Sequence, residues 1–144
     1  MYRRILLAYD GSSVSDAVLR QGAELARVCK AEVHLLGIVA TTAAMAIAES
    51  IGPTDVLGFE QRDLQRLVDA AVQDIRGQGL SVTASVRFGD PAVEIVAYAR
   101  EVDANLIVLG HKSRGTLTRW LQGSVGAHLL HHLPCSLLVA ADSR

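Results

Sequence analysis

Four short apolar runs constrain this chain more than any other feature: Ile5–Tyr9, Val33–Val39, Leu106–Leu109 and Ser136–Ala140. A strand with one wet face alternates apolar and polar residues, whereas a nearly continuous run suits burial on both faces, as in a parallel sheet. A fifth run, Val82–Arg87, alternates more and is expected nearer a sheet edge. Helical stripes separate the runs. Val14, Ala17, Val18, Leu25 and Val28 share one face in the first. Leu64, Leu67, Val68, Ala71, Val72 and Ile75 form the second, stopped by Gly77 and Gly79. Ala92, Ile95, Val96 and Ala99 form a third, with Asp90 as cap and Pro91 at the first helical position. Val125, Leu129 and Leu130 form a fourth, ended by Pro134. Strict alternation of strand and helix predicts an α/β fold: an open five-stranded parallel sheet, helices on both faces, right-handed crossovers.

The 144 residues suffice for one domain, 1–144, with one core. The segment from Thr41 to Thr54 is Ala-rich and ends in Gly52-Pro53, and reads as a loop with some helix. A formal charge of -1 and six aromatics provide neither the electrostatic footprint nor the stacking platforms of a nucleic-acid binder. Arg3 and Arg4 precede an apolar run of five residues that Asp10 ends, while a signal-peptide core needs roughly 7–15. No stretch approaches the roughly 20 apolar residues of a membrane span, so the expected location is the cytoplasm. Cys29 and Cys135 form no CxxC pair and read as buried small hydrophobes.

In open α/β sheets, ligands bind beyond the carboxyl ends of the strands, where strand order switches. The informative residues therefore follow the apolar runs. Asp10 follows the first. It reads either as a turn residue before a helix capped by Ser12 or Ser13, with Asp16 completing a capping-box-like pattern, or as an acceptor for a ligand's amine or hydroxyl. Gly110 follows the fourth and opens GHKSRGTLTRWLQGS, which closes on Gly123-Ser124. The unpartnered N–H groups of a helix starting there, with Lys112 and Arg114, would favour an anion. The competing reading is a solvated cationic loop with Ser124 as cap. No GxGxxG follows the first strand, and Gly110-x4-Gly115-Thr116 lacks the lysine of a P-loop. A receiver domain would want an acidic cluster near the first strand's end, where only Asp10 stands.

His128 and His132 are four residues apart with His131 beside them, but no carboxylate or cysteine completes a metal set. His34 reads as a packed strand histidine, and His111 either contacts a ligand or flanks Gly110. No nucleophile, base and orienting group emerge together; any hydrolysis is expected to be slow and incidental.

ILLAYDGS, VHLLGIV, VRFGDPAVEIVAYARE and the stretch LIVLGHKSRGTLTRWLQGSVGAHLLHHLPCSLLVA together resemble the universal stress protein (UspA-like) family over nearly the whole chain. ATP-binding members carry G-x2-G-x9-G-[ST]. Gly110, Gly123 and Ser124 match it, and Ser113 stands at the middle glycine. The resemblance implies sheet order 3-2-1-4-5, an adenine nucleotide alpha hydrolase-like arrangement. It implies ATP or a related adenine nucleotide between strands one and four, with Mg²⁺ arriving on the phosphates. Asp10 and the backbone near Ala8 and Ile38 would meet adenine and ribose. Gly110, Lys112, Ser113, Gly123, Ser124 and Val125 would surround the phosphates. It further implies a stress-response homodimer through the last strand, Cys135 to Ala140. The alternative is a dimer of the same fold that binds no nucleotide and acts through protein partners.

Overall fold

Among the described residues eight elements follow one another: β1 (Arg4–Tyr9), α1 (Val14–Cys29), β2 (Glu32–Ala40), α2 (Val56–Gly77), β3 (Val82–Gly89), α3 (Pro91–Glu101), β4 (Leu106–His111) and β5 (Ser136–Ala141). They come from a computed structural model that describes residues 1–11, 14–40, 56–111, 127 and 129–141. The predicted stretch from Thr41 to Thr54, and Ser12 and Ser13 as caps, lie outside the described residues. All strand pairings are parallel, and the sheet runs β3-β2-β1-β4-β5. The expected fold and strand order are therefore both found. The alternating fifth run is the edge strand β3.

Three of the four apolar runs work as two-sided strands; the fourth, Ser136–Ala140, differs from expectation, because it forms the edge strand β5, in which only Ala140 is buried. Ile5, Leu7, Val33 and Leu35 face one core layer with Val18 and Ala26 of α1 and Val68 and Ile75 of α2. Leu6, Ala8, Leu36 and Ile38 face the other, with Ile95 and Ala99 of α3 and with Leu129. Successive residues of one strand enter opposite layers, as the period of two requires. Asp90 caps α3: its carboxylate accepts from the N–H groups of Ala92 at 3.0 Å and Val93 at 3.3 Å. Proline follows at the first helical position, as predicted.

The face of α1 is rotated from the one its larger apolar residues suggest. Val28 is 77% exposed and Leu25 only half-buried. Ala17 and Val18 of the expected face are buried, but the continuous stripe on the sheet is Ser15, Val18, Gly22 and Ala26, mostly small residues at helical spacing, with Ala23 also buried. Small side chains let the helix backbone sit close on β1. A methyl group built on Gly22 would be pressed into Leu7 Cδ2. Two further stripe members also differ from expectation: Leu67 is partly exposed and Leu130 exposed, each at the margin of its helix's buried face. Cys29 and Cys135 are half-buried and pack against opposite core layers, so neither is fully enclosed.

Candidate functional site

After β1 the chain builds outward through β2 and β3, then returns to the other side of β1 with β4. The switch in strand order lies between β1 and β4. The two ladders of β1 differ in length there. Its pairing with β2 continues from Arg4↔Glu32 to Tyr9↔Gly37, whereas its pairing with β4 ends at Leu7↔Val108. β4 meanwhile stays paired with β5 as far as His111↔Ala141. Beyond Leu7 and Val108 the two central strands therefore no longer bridge each other. The crevice that strand-switch sites use would lie between Ala8–Asp10 on one side and Leu109–His111 on the other.

Asp10 stands at the mouth of this crevice, one residue beyond β1. Its carboxylate Oδ1 accepts a hydrogen bond from the Ser15 hydroxyl at 2.9 Å, and its N–H donates to Ser15 Oγ at 3.3 Å. Ser15 is fully buried in the first turn of α1. Gly11 follows with φ +81, a left-handed conformation that favours glycine. A Cβ there would also come within 3.1 Å of Leu67 Cδ1, so glycine lets the chain turn from β1 beneath α2. Burial first, then the carboxylates of Asp16 and Asp10, hold the Tyr9 phenol above its ordinary range.

Ala8 and Ile38 lie on the same sheet face, under the α3 layer, with their side chains buried. Their part in any site is consequently through the backbone. Gly110 is buried in β4 opposite Ala140 of β5, and His111 ends the strand. Thus Ala8, Asp10 and Gly110 come together at the switch, with Ile38 one strand away. Lys112, Ser113, Gly123, Ser124 and Val125 lie outside the described residues. The sequence does not single out Ser15, because its hydrogen bond to Asp10 joins a helix turn to a strand end and follows no capping spacing. The available signal was its place on the small-residue stripe of α1.

His34 is far from the crevice, in the half of β2 nearer Glu32. Its ring Nδ1 lies 2.8 Å from Thr83 Oγ1 and its Nε2 3.4 Å from Glu32 Oε2, so it is a packed strand histidine as expected. A hollow of about 380 Å³ at the opposite ends of the strands is bordered by exposed Arg27, Lys30, Glu32, Gln78 and Ser81. Mixed charges and no buried polar group give it little to hold a ligand with.

Residues 1–141 match the model of the universal stress protein family. The chain belongs to the universal stress protein family. A universal stress protein of Methanothermobacter thermautotrophicus is 30% identical over 139 residues, covering 95% of this chain and 94% of that one. Among solved structures, the hypothetical protein MJ0577 superposes with a TM-score of 0.80 at 19% identity, over 100% of this chain and 99% of the other. The universal stress protein from Archaeoglobus fulgidus in complex with dAMP gives a TM-score of 0.64 at 24% identity, over 96% of this chain and 98% of the other. These structures share the fold with this universal stress protein. No helix among the described residues is long and apolar enough to cross a membrane.

Proposed function

We propose that this universal stress protein binds ATP or a related adenine nucleotide at the carboxyl ends of β1 and β4 and acts as a cytoplasmic binding or signalling module. The observation that carries the proposal is the parting of β1 from β4 beyond Leu7 and Val108, with Asp10 held at its mouth by Ser15. A carboxylate in this position suits a ribose hydroxyl or an exocyclic amine, both of which donate hydrogen bonds. Gly110 lets a ligand approach the β4 backbone closely. Lys112, Ser113, Gly123, Ser124 and Val125 supply the phosphate side of the reading from sequence, and Mg²⁺ would come with the phosphates, since it keeps several waters and seldom needs a protein cage. The dAMP-bound Archaeoglobus fulgidus relative supports an adenine nucleotide as the ligand class. Calorimetric titration with ATP is expected to give a saturable heat and an upward shift in melting temperature. No heat and no shift up to millimolar ATP would leave the reading of a nucleotide-free dimer working through partners.

The homodimer belongs to the same proposal. β5 is the sheet edge next to β4, and such an edge invites another strand. Val139 on β5 is 42% exposed and Leu130 just before it 58% exposed. Pairing β5 with its copy would cover both residues. Val139→Lys is expected to convert a dimer into a monomer in analytical ultracentrifugation, because an edge lysine disfavours strand pairing. A wild-type chain that sediments as a monomer at micromolar concentration overturns this part.

A further inference from the structure

Ser15 is the only polar side chain among the described residues whose whole residue is fully buried. A buried hydroxyl is costly unless hydrogen-bonded, and Ser15 directs both its donor and its acceptor capacity to one residue. It donates to Asp10 Oδ1 at 2.9 Å and accepts from the Asp10 N–H at 3.3 Å. A serine serving only to cap α1 would accept from N–H groups in that helix's own first turn. Ser15 instead reaches from the helix to the end of the neighbouring strand. The paired bonds tie the carboxylate and the backbone of Asp10 to a point that is itself packed in the core. An ionised carboxylate has about four acceptor positions, and a buried donor on Oδ1 restricts the rotamers the side chain can take.

We infer that Ser15 is a positioning residue for the nucleotide site: its hydroxyl fixes the Asp10 carboxylate in the orientation that receives a hydroxyl or amine of the ligand. The inference rests on the nucleotide reading above and extends it to a residue that touches no ligand. Preorganisation of this kind strengthens binding by removing the cost of ordering the contact group.

A double-mutant cycle tests it, with ATP affinity and melting temperature measured for wild type, Ser15→Ala, Asp10→Ala and the double variant. Ser15→Ala is expected to weaken ATP binding about fivefold to tenfold, the scale of one lost hydrogen bond. In the Asp10→Ala background the same change is expected to alter affinity less than about twofold, because the residue it acts through is gone. Ser15→Cys, which refills the space with a weaker donor, should fall between wild type and Ser15→Ala. A purely structural serine would lower affinity equally in both backgrounds, and that result overturns the inference, as does wild-type affinity in Ser15→Ala. If the wild type binds no ATP, the nucleotide reading itself fails and this role fails with it; binding by the wild type together with an uncoupled cycle condemns only the positioning role.

Discussion

Gly22→Ala should destabilise the protein while Leu7 is present and stabilise it once Leu7 is alanine. The new methyl group of Gly22→Ala would meet Leu7 Cδ2, Cδ1 and Cγ, all three of which Leu7→Ala removes. Leu7 is fully buried and packed on its layer, so it has little room to turn away. Overpacking of this kind costs about 1–3 kcal/mol. Alanine in a helix interior recovers about 1 kcal/mol over glycine, so Gly22→Ala alone should lose up to about 2 kcal/mol. Leu7→Ala alone should lose about 2–5 kcal/mol through lost burial and the cavity left behind. In that cavity the Gly22→Ala methyl group finds space, and the helix propensity term then acts unopposed, giving about 1 kcal/mol of stabilisation. Urea unfolding of the four proteins measures the sign directly. Equal effects of Gly22→Ala in both backgrounds would mean that α1 does not rest on β1 at this point.

Gly123→Val should abolish detectable ATP binding with little loss of folding stability. Gly123-Ser124 ends the sequence motif that begins at Gly110, and phosphate held by backbone N–H groups needs a close approach that a branched side chain blocks. Ser113→Gly, which restores the full motif spacing, is the companion variant. It should keep or strengthen ATP affinity, since the serine hydroxyl that is lost is replaced by freer backbone. Calorimetry on both variants decides the matter: wild-type affinity in Gly123→Val would remove the phosphates from this loop.

Much of this architecture was readable because burial on two faces leaves a plain mark. The runs Ile5–Tyr9 and Leu106–Leu109 are apolar throughout and lie at the centre of the sheet, while Val82–Arg87 alternates and lies at its edge. Asp90-Pro91 specified a helix start chemically, and the hydrogen bonds are there. Strand order was another matter. Alternation of strands and helices is compatible with several orders, and 3-2-1-4-5 came from resemblance to a family. The inward face of α1 was misjudged for a physical reason. Hydrophobic patterning weights residues by apolar size, but a helix lying close to a strand selects small ones, here Ser15, Gly22 and Ala26. The same bias hid Ser15 from the reading of the site. Asp10 and Gly110 stand where the sequence puts them, at the carboxyl ends of buried strands, where an α/β sheet can meet a ligand. The link between Asp10 and Ser15 depends on a contact between a strand end and a helix turn, which spacing in the sequence does not specify.

The early end of the β1–β4 ladder has a mechanical consequence. At the carboxyl end of the sheet, backbone pairing leaves two strips, one of β3, β2 and β1 and the other of β4 and β5, paired to each other through Ile5–Leu7 and Leu106–Val108 while α1 packs across both. A nucleotide bound there as proposed would touch both strips and act as a clasp across a seam. The strip it would fasten to the rest is the one carrying the free edge at β5. Occupancy of the crevice and the alignment of that edge for a second copy would then be linked through the same two strands.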